Sequence, residues 1–323
     1  MPNSHKNFAL LGASGYIAPR HMQAIKETGN DLVAALDPYD GIGIMDSNFP
    51  QASFFTEFER FDRFVDKWHR EEEKRIDYMS IATPNYLHDA HIRFALKSGC
   101  DAICEKPLVL NPHNLDQLKV IENETGKNVN TILQLRLHPS IIALKEKVSK
   151  ELEQNPNKIY DIDLTYLTSR GKWYFVSWKG DEDKSGGIAS NIGVHFYDML
   201  SWIFGEVKEN IVHIKTPDAN SGTLVLKNAN VRWFLSVNYD YIPEDVKEQG
   251  QTTFRSITVD GDEIEFSGGF KDLHTTSYEE ILKGNGFGLD DAYGSIDIVS
   301  QIRDIQPIGL KGEYHPYAKK VIV

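Results

Sequence analysis

Phe8-Ala9-Leu10-Leu11-Gly12-Ala13-Ser14-Gly15-Tyr16-Ile17-Ala18 sets a short apolar run directly against a turn of small residues. Consecutive apolar residues without alternation describe a strand buried on both faces, the habit of parallel sheets. Ala18–Thr28 then carries helical spacing. Glycines between such a strand and such a helix let the backbone approach a pyrophosphate, whose charge meets unpaired N–H groups at the helix N-terminus. The spacing is G-x-x-G-x-x-A and not G-x-G-x-x-G, so the turn taken alone fits an ordinary tight turn about equally well.

Outward from this turn the same alternation repeats. Phe8–Gly12, Leu32–Asp37, Ser53–Phe55, Tyr78–Ala82, Ala102–Glu105 and Val129–Leu133 read as buried strands. Between them Ala18–Thr28, Phe58–Lys74, Tyr86–Ser98 and Pro112–Thr125 read as helices. Residues 1–135 are therefore expected to form a Rossmann-type, doubly wound parallel sheet. After a helix near Ile141–Glu153 the period changes. Lys158–Thr168, Val207–Thr216, Thr223–Leu226, Val231–Tyr241, Thr253–Val259 and Glu263–Ser267 alternate apolar with polar, interrupted by helices at Ile188–Phe204 and Leu289–Ile305. Residues 136–323 are expected to form an α+β domain on a mostly antiparallel open sheet. A length of 323 residues suits two domains of roughly 100–200 residues each.

Composition removes several function classes. Asp and Glu outnumber Lys and Arg 47 to 35, for a formal net charge of −12. Such a field repels nucleic acid and anionic membranes, so neither is expected as a partner and any electropositive site must be local. No stretch approaches the ~20 apolar residues of a membrane helix. Two cysteines, Cys100 and Cys104, are too few for a disulfide framework or a thiolate zinc site. A soluble, cytoplasmic protein without a metal is expected.

Asp37 ends the second strand 22 residues after Gly15, close to the ~20-residue offset of a carboxylate that binds the adenosine ribose. No Arg or Lys stands beside it, and a carboxylate repels a 2′-phosphate, so NAD is expected over NADP. Thr83-Pro84-Asn85 follows the fourth strand at its carboxyl end, where open α/β sheets bind ligands. His88 and His91 follow on the next helix without the carboxylate or thiolate company of a metal site. The cofactor set is Gly12, Ser14, Gly15, Tyr16, Ile17, Asp37, Thr83, Pro84, Asn85, His88, Glu105, Lys106 and Gln134.

Glu105-Lys106-Pro107 ends the fifth strand. A lysine at that edge can hydrogen-bond a substrate hydroxyl and stabilise alkoxide character. Ser185–Asp198 leads through glycines into a helix on which Asn191 and His195 stand four apart, on one face. A histidine titrating near neutrality suits proton exchange with a hydroxyl.

Together the glycine turn, Asp37, Thr83-Pro84-Asn85, Glu105-Lys106-Pro107 and the segment ending in His195 resemble the Gfo/Idh/MocA family of nicotinamide-dependent sugar oxidoreductases. The resemblance spans the chain and implies that Lys106 and His195 flank the reacting hydroxyl as catalytic residues. The family often has Asp where this chain has Asn191; an amide exchanges no proton at neutral pH, so Asn191 would position substrate and leave His195 as base. Gly12–His21, Ile132–Ser140, Leu164–Trp178 and Asn191–Trp202 look like those members that oxidise the 3-hydroxyl of UDP-N-acetyl-D-glucosaminuronic acid for bacterial surface polysaccharide. That likeness implies NAD as oxidant and a homotetramer formed through the antiparallel sheets.

An anionic UDP-sugar requires local donors. Arg170, Lys172, Trp173, Tyr174 and Lys179 cluster before the glycine segment, with Lys184 nearer still; they suit such a ligand or, alternatively, a solvated loop. Arg136 and His138 follow the sixth strand, and His274, Thr275, Ser277 and Tyr278 follow Gly268-Gly269 as further pocket candidates. The substrate set is Lys106, Arg136, Arg170, Lys172, Trp173, Tyr174, Asn191, His195 and Tyr278. Two alternatives remain open: a dehydrogenase of another sugar or polyol, such as an inositol, and a non-catalytic dinucleotide-sensing regulator.

Overall fold

A computed structural model describes residues 5–71, 74–264 and 272–321. Contacts divide the chain into two units, the first comprising the described residues to Gln134 together with 272–292, and the second 135–264 with 293–321. Among the described residues no helix is long and apolar enough to cross a membrane.

The first unit strings together β1 (Asn7–Leu11), α1 (Ala18–Glu27), β2 (Asp31–Leu36), α2 (Ile42–Asn48), β3 (Ser53–Phe55), α3 (Phe58–His69), β4 (Tyr78–Ile81), α4 (His88–Lys97), β5 (Asp101–Cys104), α5 (Pro112–Thr125) and β6 (Val129–Thr131). The six strands pair in parallel in the order β3-β2-β1-β4-β5-β6. This is a doubly wound sheet whose order reverses between β1 and β4, the place where such sheets bind ligands. Phe8, Ala9, Leu10 and Leu11 are all wholly buried, as a strand covered on both faces requires. Each large apolar side chain so buried contributes roughly 1.5–3 kcal/mol. Proline opens α1 and α5, its fixed φ suiting the first turn and its missing N–H costing no bond. Gly126, at φ +65°, stops α5.

The second unit runs through α6 (Pro139–Gln154), β7 (Tyr160–Thr168), α7 (Trp173–Val176), α8 (Glu182–Ser185), α9 (Val194–Phe204), β8 (Val207–Lys215), β9 (Ala219–Leu226), β10 (Ala229–Ser236), α10 (Glu244–Glu248), β11 (Thr253–Val259) and β12 (Asp262–Glu263). Its sheet has the order β12-β11-β7-β10-β9-β8. All pairs are antiparallel except β7 with β10, so the sheet is mixed and mostly antiparallel. The predicted strand over 263–267 is described only at its start; the remainder, with Gly268-Gly269, lies outside the described residues. Val231–Tyr241 was expected as one strand, but β10 stops at Ser236 and Tyr239–Tyr241 forms a 3₁₀ turn. Asn238 starts that turn by accepting the N–H of Asp240, a local alternative to the sheet ladder.

Two helices follow, α11 (Leu273–Leu282) and α12 (Leu289–Asp304). The predicted division at 135/136 gave residues 272–292 to the second domain, whereas the structure packs them with the first. The cause is a stripe on α11, Leu273, His274, Ser277, Tyr278 and Ile281, all buried. Tyr278 and Ile281 join the core of Phe8, Leu10, Met22, Ile25 and Ile103. Because half of that stripe is polar, its helical period was masked in the sequence.

Candidate active site

The first unit gathers its site residues at the carboxyl ends of β1, β2, β4 and β5. Gly12 has φ +85°, and a Cβ there would lie 2.6 Å from the Ala82 carbonyl oxygen. Only glycine lets the turn after β1 pass so close to the end of β4. Ser14 and Gly15 are half-buried, Ile17 stands at the start of α1, and Tyr16 is 94% exposed. No side chain caps the N-terminus of α1, and its first turn holds no acidic residue; its N–H groups suit a pyrophosphate. Asp37 is buried, and its two carboxylate oxygens accept the N–H of Ser14 at 3.0 Å and of Tyr39 at 2.9 Å. Those bonds fix the turn and leave lone pairs on both oxygens for a ribose diol. The residues present therefore fit a bound dinucleotide. Gln134 closes the unit, its Oε1 buried without a hydrogen-bond partner among the described residues.

Thr83, Pro84 and Asn85 form the bend after β4, with Asn85 buried. Two histidines of α4 hold it. His91 Nδ1 lies 3.0 Å from the Thr83 hydroxyl, and burial, then His88, lowers the His91 pKa to about 4. His88 is buried, with Nδ1 2.8 Å from the Pro107 carbonyl and Nε2 2.8 Å from the Thr83 carbonyl. A neutral ring can donate its one N–H to only one of these carbonyls, and His88 packs as a buried strut between the ends of β4 and β5. Its assignment to the cofactor set is corrected on that ground.

Lys106 is half-buried directly after β5. Glu105 beside it is buried, and one carboxylate oxygen faces Nε2 of His21 at 3.1 Å and Nε2 of His274 at 2.8 Å. The other accepts the Lys106 N–H at 3.2 Å. Burial pushes Glu105 up, but the two histidine N–H groups outweigh it and hold its carboxyl well below the usual range. Both oxygens of this carboxylate are thus held from within the first unit. Tyr278 is wholly buried, its hydroxyl 2.7 Å from His21 Nδ1 and 2.6 Å from the Ser80 hydroxyl. Thr275 donates to Glu27 and Ser277 to the Leu273 carbonyl. The pocket expected from 274–278 is instead a helix face packed into the first unit.

In the second unit, Arg136 is buried and paired with Asp198 through Nε–Oδ2 at 3.0 Å and Nη2–Oδ1 at 2.7 Å. Its guanidinium lies over the Trp202 ring, 5.6 Å from the centroid. Two of its five N–H groups are thus spent on Asp198, and the pair anchors Arg136 within the second unit. His138 caps α6 by accepting the Ser140 N–H.

The basic and aromatic segment is partly self-occupied. Lys184 pairs with Asp181 at 3.0 Å. Lys179 lies over both Trp173 and Trp178, at 5.4 and 5.2 Å, and burial, then Arg170, lowers its pKa. Arg170 is half-buried and donates to the Ser169 carbonyl, Lys172 is exposed, and Trp173 is 50% exposed. Tyr174 is buried, and its hydroxyl accepts from Asn191 Nδ2 at 3.1 Å; it holds Asn191 and offers no surface to a ligand, which corrects its place in the substrate set. Residues 189–193 form a π-helical turn rather than the α-helix predicted, widening the coil between Asn191 and α9. At Gly193 a Cβ would stand 2.5 Å from Leu235 Cδ1, so glycine brings this turn hard onto β10. His195 is half-buried in the first turn of α9.

Sequence reasoning missed His21, Ser80 and Asp198, and placed His274 in the wrong setting. Their partners stand 62 to 257 residues away; the available signal was a histidine inside the apolar stripe Ala18, Met22, Ile25. Among the described residues, His21, Glu105 and His274 form the group with metal-ligand atoms close together.

Comparison with known proteins fits this geometry. Residues 6–132 match the GFO_IDH_MocA oxidoreductase family, NAD-binding Rossmann fold, and residues 157–245 match the C-terminal alpha/beta domain of that family. A structure of the WlbA (WbpB) dehydrogenase from Thermus thermophilus in complex with NAD and alpha-ketoglutarate is 50% identical, with a TM-score of 0.92 over 97% of this chain and 99% of that one. A second structure of that dehydrogenase, in complex with NAD and UDP-GlcNAcA, is 49% identical with the same TM-score and coverage. The D-glucoside 3-dehydrogenase of Escherichia coli (strain K12) is 24% identical over 206 residues, 64% of this chain and 56% of that protein. The chain spans about half the length of the curated relatives it matches.

Proposed function

The chain belongs to the Gfo/Idh/MocA oxidoreductase family, and from that premise we propose that it is an NAD-dependent dehydrogenase of the 3-hydroxyl of UDP-N-acetyl-D-glucosaminuronic acid. The observation that carries the reading is the likeness, over nearly the whole chain, to a dehydrogenase seen with NAD and UDP-GlcNAcA. Charge agrees with it: Arg170 and Lys172 supply local positive charge on an acidic protein.

When bound, NAD supplies the hydride acceptor. The protein supplies the proton chemistry and the positioning. His195 takes the proton of the 3-hydroxyl on its imidazole. Lys106 donates from its ammonium to the same oxygen and stabilises the alkoxide character that develops there. Asn191, held by the Tyr174 hydroxyl, presents its amide to the sugar and moves no proton. Asp37 holds the adenosine ribose, and the N-terminus of α1 holds the pyrophosphate. The product is the 3-keto sugar nucleotide, a substrate for amination on the way to surface polysaccharide. The working form is a cytoplasmic homotetramer assembled through the second sheet, which light scattering on the purified protein tests.

The experiment is a substrate panel with the purified protein: UDP-N-acetyl-D-glucosaminuronic acid, UDP-N-acetylglucosamine, and free inositols and glucosides, each with NAD. Reduction only with the UDP-sugar acid is the expected result, and 2-oxoglutarate should bleach the absorbance of any reduced cofactor that copurifies. Faster turnover of a free polyol would overturn the substrate assignment. Dinucleotide binding without turnover of any compound would favour a regulator.

A further inference from the structure

One costly feature of the first unit takes no part in the chemistry above. Glu105 is buried one residue before Lys106, and a buried carboxylate persists only where hydrogen bonds and charge offset its desolvation. Nε2 of His21 and Nε2 of His274 both face its Oε1, and the Lys106 N–H faces its Oε2. Behind His21 stand the Tyr278 and Ser80 hydroxyls, and every one of these side chains is buried. These residues come from α1, β4, the end of β5 and α11, so four elements of one unit converge on a single carboxylate.

The direction of each bond follows from that carboxylate. An ionised carboxylate only accepts, so both imidazoles present an N–H at Nε2. A neutral His21 then has a bare Nδ1, which accepts from the Tyr278 hydroxyl, whose oxygen accepts from Ser80. Burial lowers the His21 pKa against the opposing pull of Glu105, which keeps that ring neutral. His21, Glu105 and His274 also make the donor set of a metal site. Their N···O separations of 2.8 and 3.1 Å would close the angle at an ion with bonds of about 2.1 Å to roughly 85–95°, well below tetrahedral. Hydrogen bonds suit these distances better.

We propose that His21, Glu105, His274 and Tyr278 form a positioning chain for Lys106, in which the histidines fix the Glu105 carboxylate and Glu105 fixes the lysine through its backbone N–H. The proposal rests on the reading of Lys106 as the group that holds the reacting hydroxyl. It also gives α11 a purpose in the first unit, since two links of the chain, His274 and Tyr278, ride on that helix.

The test uses the full-length protein. His21→Gln and His274→Gln retain a neutral N–H near the Nε2 position, whereas His21→Leu and His274→Leu remove it. The leucine variants should lose about 10- to 100-fold in kcat with KM within about 3-fold, and the glutamine variants should recover to within about 3-fold of the parent, as misplacement of a catalytic group predicts. Tyr278→Phe, nearly isosteric and so expected to fold, should lower kcat by about 3- to 10-fold by freeing the His21 tautomer. Nitrogen NMR of the free parent should show His21 and His274 as Nε2–H tautomers, with His21 neutral at pH 7, whatever the substrate proves to be. Equal losses in glutamine and leucine variants would overturn the proposal. So would a parent His21 protonated at Nδ1 alone, or a stoichiometric metal ion found by elemental analysis. A parent that turns over no UDP-sugar overturns the function assigned above, and the NMR result still decides the positioning chain.

Discussion

The candidate residues of the two units are positioned differently. In the first unit, Gly12, Asp37, Thr83 and Lys106 stand at or just past the ends of parallel strands, where the sheet sets the backbone and side chains such as His91 and Glu105 hold it. In the second, Arg170, Lys172, Asn191 and His195 lie on a long connection between β7 and α9 that passes through two single-turn helices and a π turn. The first unit starts from strand ends; the second has no strand there and relies on side chains gripping one another, such as Tyr174 on Asn191 and Lys179 over two tryptophans.

The largest test of that contrast removes one reacting group from each unit. Lys106→Met and His195→Asn should each lower kcat by about 10³-fold, near 4 kcal/mol of transition-state stabilisation, in proteins that still bind NAD. Near-normal turnover in either variant would mean that one unit does not take part in the chemistry.

How much was legible follows from the same contrast. Strands, most helices and the glycine turn were readable because each is specified by neighbours within a few residues. The side chains hardest to place have remote partners. Arg136 was expected to face substrate, and nothing nearby in the sequence pointed to its ion-pair partner Asp198, 62 residues on. Glu105 was expected beside the cofactor, and its buried partner His274 stands 169 residues on. Tyr278 looked like pocket lining because the helix that carries it buries a polar stripe. Side-chain pairing across such separations leaves no periodic trace.

Next in size is Arg136→Met, which strands the buried Asp198 carboxylate. It should destabilise the protein by about 3 kcal/mol or more, and Arg136→Met with Asp198→Leu should recover much of that loss. Thermal unfolding checks both; an unchanged Tm for the single variant would return Arg136 to the substrate-facing set.

Asp37→Asn probes the first unit more gently. The amide keeps one acceptor for the turn but loses the charge, so the Kd for NAD should rise about 10-fold and the preference against NADP should shrink. Titration by intrinsic fluorescence reads both affinities, and an unaltered preference would remove Asp37 from the ribose site.

Acid should separate the units most subtly. Burial lowers the pKa of His21, His88 and His91 in the first unit, and of His315 in the second, with His91 and His315 near 4. An unfolded histidine takes up its proton near pH 6.5, whereas these folded ones resist it. The stability they support is therefore present above about pH 6.5 and lost as pH falls toward 4. Hydrogen exchange at pH 5 against pH 7.5 should show α4, which carries His88 and His91, losing more protection than residues 316–321 beside His315. Equal losses would mean that the two units respond to acid alike.

The account's central claim is that carbon 3 of the UDP-sugar acid gives its hydride to NAD on this protein. UDP-N-acetyl-D-glucosaminuronic acid deuterated at C3 tests it in one mass spectrum. The account predicts one deuterium in the reduced cofactor and a 3-keto sugar nucleotide; a reduced cofactor without deuterium, or no reduction by a protein that binds NAD and the sugar, would contradict it.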